Sequence, residues 1–144
     1  MSNVRLSREE RLALLATASG GELIEFADAC LAAAAEFTVV VPPRVGCVSA
    51  QVREPILKER FLLGDVLACS VEVEFNGVRG WAMRLGDDRA ATLAMATLDA
   101  AVECDQELAD GIERLCARLA ERRQRAEAGE WAELAATIVE FEEL

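Results

Sequence analysis

Two alternating runs flank an Asn-Gly step, and any fold of this chain must accommodate them as an antiparallel pair. In Asp65–Phe75, Leu67, Cys69, Val71 and Val73 face one way and Ser70, Glu72 and Glu74 the other. After Asn76-Gly77, Trp81, Met83 and Leu85 alternate again. Turn length sets the register, because directly paired residues share a face. A two-residue loop pairs Val71 with Ala82 and Glu72 with Trp81. It leaves Trp81, Met83 and Leu85 on the acidic side, so that both faces need cover. A three-residue loop, with a type I turn through Phe75-Asn76 and a left-handed Gly77, puts Val71, Val73, Trp81, Met83 and Leu85 together. One dry face is the simpler solution, and that register is expected.

A helix is predicted over Ala90–Val102, apolar nearly all round except at Thr92, Thr97 and Asp99. A helix without a polar face is covered on two sides. In a chain of 144 residues the second cover is expected to come from another chain, hence self-association of the isolated protein. Gly86-Asp87-Asp88 precedes this helix, and either aspartate suits its N-cap and its dipole.

Ser7–Glu10 forms a capping box ahead of a short first helix, and Ser19–Glu22 repeats the device ahead of a second that ends near Ala35. Phe37–Val41 reads as a strand stopped by Pro42-Pro43, and Gly46–Arg53 as another. Gln106–Ala128 is a long helix ended by Gly129, with Leu108, Ile112, Leu115, Leu119 and Ala126 toward the core. Arg114, Arg118, Arg122 and Arg125 form its basic stripe, with Asp110–Arg114 and Glu121–Arg125 as candidate pairs. Glu130–Thr137 is a further helical patch, and Thr137–Phe141 reads as a final strand. The sum is a single α+β domain over residues 1–144: an antiparallel sheet of four to five strands, two N-terminal helices and a long C-terminal helix.

Composition narrows the chemistry. The net charge of −11 argues against nucleic acid and against an anionic membrane surface. No apolar run reaches bilayer length, and the charged N-terminus does not resemble a secretory signal; a cytoplasmic protein is expected. There is no histidine and no tyrosine, so a general acid or base must be Asp, Glu, Lys or Cys. Cys30, Cys47, Cys69, Cys104 and Cys116 form no CxxC pair, and the glycines form no phosphate loop. No metal, no cofactor and no catalytic residue are expected in this chain. Asp99 is the exception that needs a partner, since a lone buried carboxylate is costly. The expected partner is an arginine of the sheet, Arg53 or Arg84. The choice between a structural node and a site stays open.

Three stretches carry a resemblance: "GCVSAQVRE" (Gly46–Glu54), "ERFLLGDVLACSVEVEFNGVRGWAMRLGDDRAATLAMATLDA" (Glu59–Ala100) and "AATIVEFEEL" (Ala135–Leu144). With "SGGEL" at the second helix, they resemble the PhnG family, a small subunit of the bacterial carbon–phosphorus lyase system. The chain departs from the family at Ile138, where an arginine is common. The resemblance implies an assembly with PhnH-, PhnI- and PhnJ-like subunits, chiefly the PhnI-like one. With an accessory ATPase-like subunit, the G, H and I components transfer ribose triphosphate from ATP to an alkylphosphonate, and adenine leaves. The J-like subunit then breaks the carbon–phosphorus bond by a radical step. No nucleophile is established in the G component, so the isolated chain is expected to be inactive. Arg53, Glu54, Arg84, Asp87, Asp88 and Asp99 are its structural or partner-facing candidates. The alternative is a free-standing interaction or small-ligand-binding protein.

Overall fold

The computed structural model describes residues 5–53 and 60–142, with side chains described over 5–49 and 64–135. Four helices and three strands follow in the order α1 (Arg8–Leu15), α2 (Gly20–Ala32), β1 (Phe37–Arg53), β2 (Arg60–Phe75), β3 (Val78–Leu85), α3 (Arg89–Ala101) and α4 (Gln106–Glu142). The class is α+β as expected, with a sheet of three antiparallel strands in the order β1-β2-β3, not four or five.

Two corrections account for the difference. Pro42-Pro43 does not end the first strand. β1 lies at the sheet edge, and register shifts between Val39 and Val41 and between Val41 and Arg44 keep both prolines out of the ladder with β2. An edge strand tolerates such residues because one row of its amides needs no partner strand. The second correction lies at the C-terminus. Gly129 does not break α4, and Thr137–Phe141 continues it as helix. A mid-helix glycine costs only about 1 kcal/mol against alanine, less than is needed to stop a helix already propagating.

The hairpin takes the two-residue loop. Asn76 and Gly77 both have positive φ, 46° and 83°, as a type I′ turn demands. Val71 pairs with Ala82 and Glu72 with Trp81. Turn chemistry won over the economy of one dry face. Asn76 is further fixed by its side-chain oxygen, which accepts from the amides of Ala35 and Glu36 at 2.9 Å each. The inner face of β3 is therefore Val78, Gly80, Ala82 and Arg84. Its small residues let α3 approach closely: a Cβ added to Gly80 would lie 2.2 Å from the Ala96 carbonyl oxygen.

α3 is the centre of the core. It packs on the sheet with one side and on α2 with another, and α1 and α4 also touch it. Its second cover thus comes from this chain's own helices and not from another molecule. Val71, Val73, Phe75 and Ala82 of the sheet meet Met95, Leu98 and Ala100 of α3, with Leu15, Leu23, Ile112 and Leu115 of the other helices in the same cluster. Leu67 begins the apolar row but is exposed, because β3 ends opposite Ala68. Cys69 is fully buried within that row. Among the described residues, the outer face of the hairpin leaves Trp81, Met83 and Leu85 exposed.

Candidate functional site

Asp99 is buried, with its side chain 1% exposed, and both of its oxygens are engaged. Arg8 of α1 donates from Nε at 3.1 and 3.2 Å and from Nη2 at 2.7 Å. The Trp81 backbone N–H donates to Oδ2 at 2.9 Å. β3 is an edge strand, so this amide points away from β2 and would otherwise lack a partner. One carboxylate thus ties α1, α3 and the free edge of β3. The charge and hydrogen bonds of Asp99 in turn hold Arg8 more firmly protonated. Of the two expected partners, Arg84 does not serve Asp99, and the expectation for Arg53 falls on a side chain outside the described part.

Arg84 has a different task. Its guanidinium donates to the carbonyls of Leu15, Ala16 and Ala18 at 3.3, 3.4 and 3.1 Å. A cation there adds donors to carbonyls at and just past the end of α1 and complements its dipole. Arg53 ends β1 with its side chain outside the described part, and Glu54 lies outside the described residues.

Asp88 is the N-cap of α3. Its Oδ1 accepts from the Ala91 amide at 3.0 Å, while the Thr92 hydroxyl donates to its backbone carbonyl at 2.8 Å. Asp87 is exposed beside it. Asp88→Ala should therefore lower stability by about 1 kcal/mol, read by denaturant titration. Asp87→Ala should leave the midpoint in place.

Sequence reasoning missed Arg11. It is 4% exposed, donates to the Leu6 carbonyl at 3.2 Å, and sits 3.5 Å from Glu103 and 3.8 Å from Glu113. The signal was available: positions 11, 14, 15 and 18 follow helical spacing, and Leu14, Leu15 and Ala18 are core residues.

The basic stripe of α4 is mostly used within the fold. Arg122 clamps Glu22 of α2 with bonds of 2.9 and 3.2 Å. Arg118 lies over the Phe26 ring, 5.8 Å from its centroid. Arg125 meets Glu121 at 3.7 Å as expected, but Asp110 accepts from Gln106 at 2.8 Å. The Arg122 guanidinium, helped by Ser19, lowers the Glu22 carboxyl from 4.5 to about 2. A depressed carboxyl contributes stability above its unfolded pKa and loses it as pH falls through the folded value. Glu22→Gln should thus flatten the acid limb of the melting curve between pH 4.5 and about 2. Curves for variant and parent that stay parallel across that window would show the pair contributes nothing.

The open clefts are shallow. One of about 440 Å³ lies among Arg8, Glu9, Leu12, Glu72 and Trp81, and so shares Arg8 and Trp81 with the Asp99 node. Among the described residues, no three His, Cys, Asp or Glu side chains converge as a metal site. All five thiols are free; burial raises Cys30 and lifts Cys116 to about 11. No described helix is long and apolar enough to cross a membrane.

No curated protein matches this chain. The model of the family described as phosphonate metabolism protein PhnG matches residues 6–144, a span that takes in every element from α1 to α4. The chain belongs to the PhnG family of phosphonate metabolism proteins.

Proposed function

We propose that this chain is the G-type subunit of a carbon–phosphorus lyase assembly in the cytoplasm. It acts there with PhnH-, PhnI- and PhnJ-like partners in transfer of ribose triphosphate from ATP to an alkylphosphonate. Its own contribution is to assembly. The observation that carries this reading is the outer face of the hairpin. Trp81, Met83 and Leu85 stand exposed at 42%, 38% and 74% along β3, beside Ser70 and Glu72 of β2. An exposed apolar row with a polar border marks a docking surface. The acidic chain, at −11, suits a basic partner and an association rate that falls with salt. Asp99 supports the same reading, because Arg8 and the Trp81 amide occupy both of its oxygens. A carboxylate so held is poorly placed to move a proton to or from a substrate.

The test is co-expression with the H-, I- and J-like partners, followed by size-exclusion chromatography and, with the accessory ATPase-like subunit added, an assay of adenine release from ATP. The assembly should elute as one species and release adenine only with phosphonate present, while the isolated chain releases none. Trp81→Ser with Leu85→Ser should weaken assembly without lowering the melting temperature of the free chain. Adenine release by the purified chain alone, scaling with its concentration, would refute the assembly role.

A further inference from the structure

The distal part of α4 leaves the body of the protein. Among the described side chains Leu119 is its last buried one, and every described side chain from Glu121 to Ala135 is exposed, including Ala126, which the sequence placed toward the core. The helix nevertheless continues to Glu142, about 32 Å beyond Glu121 at 1.5 Å per residue. A lone helix of that length in water is marginal, and Gly129 weakens it further. It also carries exposed apolar side chains: Trp131 is 72% exposed and Leu134 54%. After Arg125 every charged residue is a glutamate: Glu127, Glu130, Glu133, Glu140, Glu142 and Glu143.

We propose that the distal half of α4 is a docking helix whose Trp131–Leu134 side seats in an apolar groove rimmed by Lys and Arg on a partner subunit. Charge selects the occupant. A second copy would bring the same glutamates against these. Three of the five cations of its own α4 are engaged, Arg122 by Glu22, Arg125 by Glu121 and Arg118 by the Phe26 ring, and the copy as a whole carries a net charge of −11. A groove with free cations on a different polypeptide answers both the apolar side and the acidic flanks. This surface is distinct from the outer face of the hairpin. It rests on the reading of the chain as a subunit.

Hydrogen exchange read peptide by peptide tests it, on the full chain alone and in the assembly co-purified with its H-, I- and J-like partners. Amides of residues 126–142 should exchange freely in the chain alone and become protected in the assembly. Trp131→Ala with Leu134→Ala should leave the melting temperature of the free chain unchanged, yet weaken its capture by the partners about thirtyfold or more. Glu127→Gln with Glu130→Gln should reduce the salt dependence of capture. Equal exchange of 126–142 in both samples, or undiminished capture of the Trp131–Leu134 variant, overturns the proposal and leaves the subunit reading standing. Protection that grows with the concentration of the chain alone assigns the helix to a second copy and also overturns it. A parent chain that fails to co-purify removes the subunit reading and this proposal with it.

Discussion

Gly80→Ala is expected to unfold the chain at temperatures the parent survives. The added Cβ would lie 2.2 Å from the Ala96 carbonyl oxygen, 2.8 Å from the Ala100 Cβ and 2.9 Å from the Ala100 nitrogen. Two of these atoms are backbone of α3, so no side chain can rotate away. The helix itself must lift off the sheet, and it anchors the core through Met95 and Leu98. Overpacking of a well-filled core costs roughly 1–3 kcal/mol, and a clash with main chain belongs at or above the upper end. A loss of about 3 kcal/mol corresponds to a fall in melting temperature of roughly 10 °C for a chain of this size. Gly46→Ala is the control: nothing lies within 4 Å of a Cβ at that position, and the change should cost little. A Gly80→Ala protein that melts with the parent would mean that α3 does not lie on β3 as described.

The same glycine shows where local reading of the sequence succeeded and where it failed. Caps are local, and Ser7, Ser19 and the Gly86-Asp87-Asp88 corner were legible for that reason: each cap bond spans three residues. The alternation around Asn76-Gly77 was legible too. Its register was not, because it was argued from the wish for one dry face. Gly80 and Ala82 held the contrary information. Small residues on alternate positions make a bed for a helix, whereas Trp81 and Met83 on that side would push α3 outward. The unbroken α4 was hidden by the β-branched run near its end, where β propensity yields to context. Long-range partners were out of reach. Arg8 meets Asp99 across 91 positions, and no spacing rule selects it over Arg53 or Arg84. The acid itself, set in an apolar helix, did announce that a partner must exist.

Replacing either member of that pair should produce a large effect of unequal kind. Arg8 is 57% exposed, whereas the Asp99 side chain is 1% exposed. Asp99→Ala releases an arginine that water can rehydrate, but it leaves the Trp81 edge amide without its acceptor. Arg8→Ala leaves a carboxylate buried with one amide for company, the more costly orphan. Breaking a buried pair costs about 3–5 kcal/mol; with one partner half in solvent, roughly 2–3 kcal/mol is expected for Arg8→Ala. Asp99→Asn retains an acceptor for the Trp81 amide and removes the charge, so it should be milder than Asp99→Ala. It should also make a second change at Arg8 nearly silent, which a double-mutant cycle on denaturation midpoints measures directly. A catalytic Asp99 gives a different pattern. The Asn variant would then assemble with its partners at near-parental stability and yet lose adenine release altogether. A structural node predicts that turnover by the assembly follows the fraction of chain folded and bound. Loss of turnover in a fully assembled Asp99→Asn complex would therefore move this carboxylate from the scaffold into the chemistry.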